Sequence, residues 1–159
     1  MEELTLKSTI TVARYEELSK EDKELIDAAK KMTGNSYAPY SKFKVGAALR
    51  LANGKIVTGS NQENAAYPSG LCAERTTLFF ANSQYPDQAV TDLAIAAQSD
   101  DIFTDSPCPP CGACRQVIKE TEDRYNQAIR ILLYGQKAIY IIKGIKDLLP
   151  LQFNASFMK

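Results

Sequence analysis

Histidine is absent from this sequence, which removes the commonest general base and the commonest nitrogen ligand for a metal. Catalytic arrangements that depend on an imidazole beside a serine or cysteine are therefore excluded. Any metal has to be held by Cys, Asp or Glu, and any catalytic proton has to travel on a carboxylate, Lys, Tyr or Cys. An excess of charge is also missing, with 19 basic against 19 acidic side chains. Without such an excess there is little to hold a polyphosphate backbone, so nucleic acid is not an expected partner. No apolar run approaches the roughly 20 residues that a membrane helix needs. The first residues, Met1-Glu2-Glu3, are acidic where a secretory signal would be basic. No membrane association is expected, and the expected location is cytoplasmic. Repeats, linkers and low-complexity stretches are lacking as well.

What is present suits one domain over residues 1–159, with residues 1–18 available as an extended N-terminal arm. A chain of this length with 45% hydrophobic residues can bury one sizeable core. Ser19 and Asp22 followed by Leu25, Ile26, Ala28, Ala29 and Met32 read as a capped amphipathic helix stopping at Gly34. Residues 45–51 and 55–60 flank Asn53-Gly54 and read as a hairpin. A second helix is expected from about Cys72 to Asn82, a buried strand over residues 93–97, and a third helix ending near Arg124. Two further strands are expected at residues 131–134 and 138–142. This order predicts an α/β fold, a three-layer α/β/α arrangement around a mixed five-stranded sheet.

All four cysteines lie between Cys72 and Cys114, and three of them fall in Cys108-Pro-Pro-Cys111-Gly-Ala-Cys114. Such crowding in an intracellular chain points to metal or redox chemistry before structural disulfides. Two of the expected helices begin at cysteines, where free N–H groups and the positive end of the helix dipole favour thiolate. Cys111 and Cys114 sit one helical turn apart and can face one point. Cys72 is the third ligand this pattern favours, because Glu74 follows it two residues later. Three thiolates with one open position can hold and activate a water, whereas four close the site. A carboxylate beside the metal but not bound to it is the natural proton carrier in a chain without histidine. Arg75 could donate hydrogen bonds to sulfur and offset the negative charge of the thiolates. Cys108 forms a second Cys-x-x-Cys with Cys111; the intervening Pro109-Pro110 holds the backbone extended and favours a free thiol there.

Four segments carry a resemblance: Tyr37-Ala-Pro-Tyr-Ser-Lys-Phe-Lys-Val-Gly-Ala-Ala-Leu49, Gly59-Ser-Asn-Gln-Glu-Asn-Ala-Ala-Tyr67, Leu71-Cys-Ala-Glu-Arg-Thr76 and Pro110-Cys-Gly-Ala-Cys-Arg-Gln116. Together with the tail Leu148-Leu-Pro-Leu-Gln-Phe153, they resemble the signature segments of the cytidine deaminase family, small homotetrameric type. The resemblance spans about residues 19 to 153. It implies hydrolytic deamination of cytidine and deoxycytidine to uridine and deoxyuridine with release of ammonia, in pyrimidine salvage. It further implies one Zn²⁺ per chain on Cys72, Cys111 and Cys114, with Glu74 as the catalytic proton shuttle. Asn61 and Glu63 would bind the sugar, notably its 3′-hydroxyl, Phe43 would pack against the nucleoside, and the backbone of Ala73 would bind the pyrimidine ring. Phe153 would reach an active site of a neighbouring subunit in a homotetramer.

Three other readings compete. A blasticidin-type aminonucleoside deaminase is similar in its zinc segments, but the tail ending in Phe153 favours the cytidine enzyme. A thiol redox protein could use either Cys-x-x-Cys, and a structural four-cysteine zinc module would leave Glu74 without a role. A thiol count with and without a chelator separates the redox protein, which loses thiols on oxidation, from a zinc site, which releases metal.

Overall fold

The computed structural model describes residues 1–158. Strands are β1 (Thr11–Ala13), β2 (Phe43–Leu51), β3 (Ile56–Ser60), β4 (Val90–Ser99), β5 (Ile102–Phe103), β6 (Arg130–Tyr134) and β7 (Ile139–Ile142). Helices are α1 (Lys20–Met32), α2 (Ala73–Gln84) and α3 (Gly112–Tyr125). The strand order is β1-β7-β6-β4-β2-β3, with β5 added on β4. Only β4 and β6 run parallel, because α3 carries the chain back across the sheet between them.

Alternation along the strands divides the core in two. Ala47, Leu49 and Leu51 of β2 share one buried cluster with Leu93, Ile95, Ile131 and Leu133, covered by Leu78 and Ala81 of α2 and Ile118 of α3. The intervening Ala48, Ala94, Ala96 and Leu132 face the other way, onto Leu25, Ile26 and Ala29 of α1. Helices thus cover both faces, as the period-two pattern requires. Small residues on the α1 side let that helix lie close to the sheet. At Gly46 the approach is closest, since a Cβ there would come within 2.0 Å of the Ala29 carbonyl oxygen.

Local signals act as read from the sequence. The Ser19 hydroxyl accepts from the Asp22 amide at 3.1 Å and caps α1, and the helix ends in a 3₁₀ turn over Thr33–Asn35. In the β2–β3 hairpin Gly54 takes the left-handed conformation at φ 84. Its amide donates to the Leu51 carbonyl at 2.8 Å, so the turn is the three-residue kind closed by a glycine bulge.

The sheet has seven strands where five were expected. The five expected strands are all present, and the two additions are short. Thr11–Ala13 of the arm pairs antiparallel with residues 139–141 of β7 and covers that edge, while residues 1–10 carry no regular secondary structure. Ile102–Phe103 folds back on the end of β4 through Asp100 and Asp101, both in the left-handed region at φ 49 and 64, a conformation that short acidic side chains tolerate better than most. Strands of three and two residues, mostly exposed, leave no alternating pattern to read. Among the described residues no helix is long and apolar enough to cross a membrane.

Candidate active site

Cys72 is the N-cap of α2 and Cys111 the N-cap of α3. Both take extended backbone angles and neither side chain caps its own helix, so the sulfurs are free to turn toward each other. Sγ of Cys72 lies 3.9 Å from that of Cys111, which lies 3.5 Å from that of Cys114. All three sit within 4.8 Å of one another. Tetrahedral zinc with Zn–S bonds of about 2.3 Å spaces its thiolates about 3.8 Å apart, so this donor set fits zinc. Cys108 stands outside the cluster, with its thiol directed to the Pro109 carbonyl at 3.9 Å.

The protons at the cluster are unevenly held. Hydrogen bonds from the Cys114 thiol, from Arg75 and from Cys111 bring Cys72 down to about 5 despite its burial. The same contact pushes Cys114 up, since its proton is shared with the Cys72 sulfur, and burial adds to the rise. A metal cation would replace that shared proton. Arg75 Nη2 stands 3.5 Å from Cys72 Sγ, and the sulfur's negative charge raises the guanidinium pKa in turn. Arg75 Nε is buried without a partner. Glu74, in the first turn of α2 and only 5% exposed, is pushed up to about 6, by burial first and by the charge of Cys72 as a smaller cause. A carboxyl so placed can hold a proton near neutrality. Burial raises the Cys108 thiol, and the charge of Glu74 adds to it, so this thiol is the less reactive kind.

A cavity of about 570 Å³ opens beside the cluster, lined by residues that include Tyr40, Asn61, Glu63, Tyr67, Cys72 and Arg75. Asn61 and Glu63 follow the end of β3 and face the turn that precedes β2. Asn61 Nδ2 donates to the Phe43 carbonyl at 2.9 Å, and its Oδ1 accepts from the Val45 amide at 2.8 Å and from the Ser36 hydroxyl. Glu63 accepts from the Tyr40 and Ser41 amides at 2.9 and 3.3 Å and from the Ser41 hydroxyl. These bonds, the Ser41 hydroxyl foremost, hold its carboxyl below the usual range. The rings of Tyr40 and Tyr67 meet edge to face at 6.2 Å.

Residues 19–128 match the family profile described as the cytidine and deoxycytidylate deaminase zinc-binding region. The chain belongs to the cytidine and deoxycytidylate deaminase family. Within that family it is similar to the cytidine deaminase of Halalkalibacterium halodurans, at 48% identity over 96 residues, 60% of this chain and 68% of the other. The cytidine deaminase of Sporosarcina psychrophila is 48% identical over 97 residues, 61% of this chain and 67% of the other. In structure this deaminase-family chain resembles the crystallised cytidine deaminase from Burkholderia pseudomallei, with a TM-score of 0.70 and 38% identity. That comparison covers 82% of this chain and 98% of the other.

Of the residues singled out from the sequence, Cys72, Cys111 and Cys114 meet at one point, with Glu74 and Arg75 beside them. Asn61 and Glu63 line the adjoining cavity. Ala73, fully buried, opens α2 between Cys72 and Glu74. Phe43 meets Asn61 through its backbone, and its side chain is not among those lining the cavity. Phe153 lies away from its own chain's cavity; its carbonyl accepts from Gln116 Nε2 at 3.0 Å and its ring stacks on Phe157 at 5.9 Å. Sequence reasoning gave no individual role to Ser36, Tyr40, Ser41 and Tyr67. Tyr40 and Ser41 lie inside one signature segment, but nothing in their spacing says that they face Glu63 from across the cavity.

Proposed function

We propose that this protein deaminates cytidine and deoxycytidine by zinc-dependent hydrolysis, releasing ammonia and the uracil nucleoside, as part of pyrimidine salvage. The observation that carries this reading is the meeting of three thiol sulfurs at two helix starts, with a buried carboxyl next to them and a cavity that Asn61 and Glu63 help to line beside them. Cys72, Cys111 and Cys114 would hold one zinc ion per chain, and when bound the ion supplies the Lewis acidity that makes water nucleophilic at neutral pH. Glu74 accepts one proton of the water that adds to C4 of the pyrimidine and delivers it to N3. It then takes the remaining proton from the C4 hydroxyl of the adduct and delivers it to the 4-amino nitrogen, so that the C4 carbonyl forms as the C–N bond breaks and ammonia leaves. Arg75 tempers the charge of the sulfurs by its hydrogen bond to Cys72. The amide of Ala73 orients the ring, Phe43 packs near the nucleoside, and Asn61 and Glu63 bind the sugar.

The cavity favours a nucleoside over a nucleotide. Glu63 brings negative charge to the lining, and the only basic residue there, Arg75, is engaged by Cys72. A 5′-phosphate against Glu63 would meet repulsion, and Lys42, whose charge reaches that carboxylate, is not among the residues lining the cavity. Cytidine and deoxycytidine are therefore expected to be turned over, and cytidine monophosphate to be refused. Free cytosine should react very poorly, because it forgoes the sugar contacts that Asn61 and Glu63 offer. Loss of cytosine absorbance alongside ammonia release across these four compounds tests the assignment; good turnover of the monophosphate would overturn it.

One domain per chain, four chains per assembly and a cytoplasmic location complete the proposal. Support for assembly comes from the tail. Leu148 and Leu149 pack on the chain's own core, whereas Leu151, Phe153, Phe157 and Met158 stay in water, at 80%, 56%, 71% and 72% exposure. Exposed apolar side chains grouped in this way favour a covered surface, and Phe153 is free to complete a neighbour's cavity. Truncation after Pro150, which spares the core residue Leu148, is expected to weaken the tetramer and activity together. Light scattering and activity on one preparation check it, and a fully active tetramer without the tail would refute the shared site.

A further inference from the structure

Nearly every hydrogen-bonding position on Asn61 and Glu63 is already taken by the protein. Asn61 Oδ1 has two acceptor positions, filled by the Ser36 hydroxyl and the Val45 amide, and one of its two N–H groups is given to the Phe43 carbonyl. The backbone partners fix the amide's orientation, since Val45 N–H can only donate and Phe43 C=O can only accept. One N–H remains. An ionised carboxylate offers about four acceptor positions. On Glu63, Oε2 takes the Tyr40 and Ser41 amides and Oε1 takes the Ser41 hydroxyl, which leaves one position on Oε1. The pair presents one donor and one acceptor, the complement of a single hydroxyl group.

Ser41 decides this count. Its Oγ accepts from the Phe43 amide at 3.0 Å, so its proton is left to point at Glu63. That geometry depends on Lys42, which turns the chain in the left-handed region at φ 58 with its amide donating to the Ala38 carbonyl at 3.2 Å. Without the serine hydroxyl, Oε1 would have two open positions and the carboxylate would lose a partner that keeps it in one rotamer. We propose that Ser41 is a positioning residue that holds Glu63 in register for one sugar hydroxyl and thereby sets the preference for nucleosides bearing it. The proposal rests on the reading of Glu63 as a sugar contact.

The test compares cytidine with 3′-deoxycytidine on the metal-loaded enzyme. With Ser41→Ala, kcat/KM for cytidine is expected to fall about 10-fold, mainly through KM, the size expected for a hydrogen bond to a charged group. On 3′-deoxycytidine the same variant should stay within about twofold of the parent, because the lost contact serves a hydroxyl that this substrate lacks. Ser41→Thr, which retains the hydroxyl, should restore the preference. Equal losses on both substrates, or no loss on cytidine, would overturn the proposal. Glu63→Gln separates the two readings. If it erases the preference while Ser41→Ala does not, Ser41 alone loses its role. If it leaves the preference intact, the sugar reading of Glu63 falls and the proposal with it.

Discussion

Glu74→Gln is expected to leave a folded protein with its zinc in place and turnover of cytidine lowered by about 10²–10⁴-fold, the range that general acid–base catalysis contributes. Gln matches Glu in shape, and residue 74 is not one of the three sulfur ligands, so neither packing nor metal retention should suffer. What the amide lacks is a site that takes a proton and gives it back. The same side chain serves in both directions, first from water and then to N3 and the leaving nitrogen, so one substitution removes both transfers. The chain contains no histidine to substitute for it, and the other nearby groups are thiols expected to bind metal. Steady-state kinetics beside metal content and a melting curve check the result. Activity within about tenfold of the parent would remove Glu74 from the mechanism, since the lowest expected contribution is about 100-fold.

Replacing any one of Cys72, Cys111 and Cys114 with Ala is expected to strip both zinc and activity, whereas Cys108→Ser should keep both. Three thiolates are the whole of the protein's donor set. Loss of a mere outer partner already costs 10–100-fold in metal affinity, so loss of a ligand should exceed about 100-fold. The three variants should differ in how they reach this end. Cys72 is half-buried and Cys111 exposed, and neither side chain caps its helix, so their removal should leave the fold almost untouched. Cys114 is fully buried, so its truncation should also lower the melting temperature. Zinc content per chain and thiol titration with and without chelator check the set. If Cys108→Ser lost zinc and Cys72→Ala did not, the ligand assignment would be wrong.

The sequence by itself determined those features whose cause is local. Ser19 caps α1 because capping acts within a turn, although the helix gives way at Thr33 to a 3₁₀ turn that contains Gly34, and the five principal strands show themselves by runs of apolar residues that must be buried. The candidate zinc ligands were legible for a related reason. Cys72-Ala-Glu74 and Cys111-Gly-Ala-Cys114 each open a helix, so nearest-neighbour spacing already implies which way the sulfurs face, and with histidine absent the place of Glu74 two residues after Cys72 favours it as proton carrier. Tertiary structure alone decided the rest. β1 exists because the distant edge of β7 offers backbone partners, β5 because the chain folds straight back on the end of β4, and side-chain pattern in such short, exposed segments carries no record of either. The tail divided between Leu148, which joins the core, and Phe153, which does not, according to where the 3₁₀ turn at Ile145–Asp147 sets the chain down. Ser41 meets Glu63 across 22 residues because the chain reverses at Lys42 and β2 pairs with β3. A hydrogen bond made by that pairing depends on register and on one left-handed residue, neither of which the order of amino acids displays.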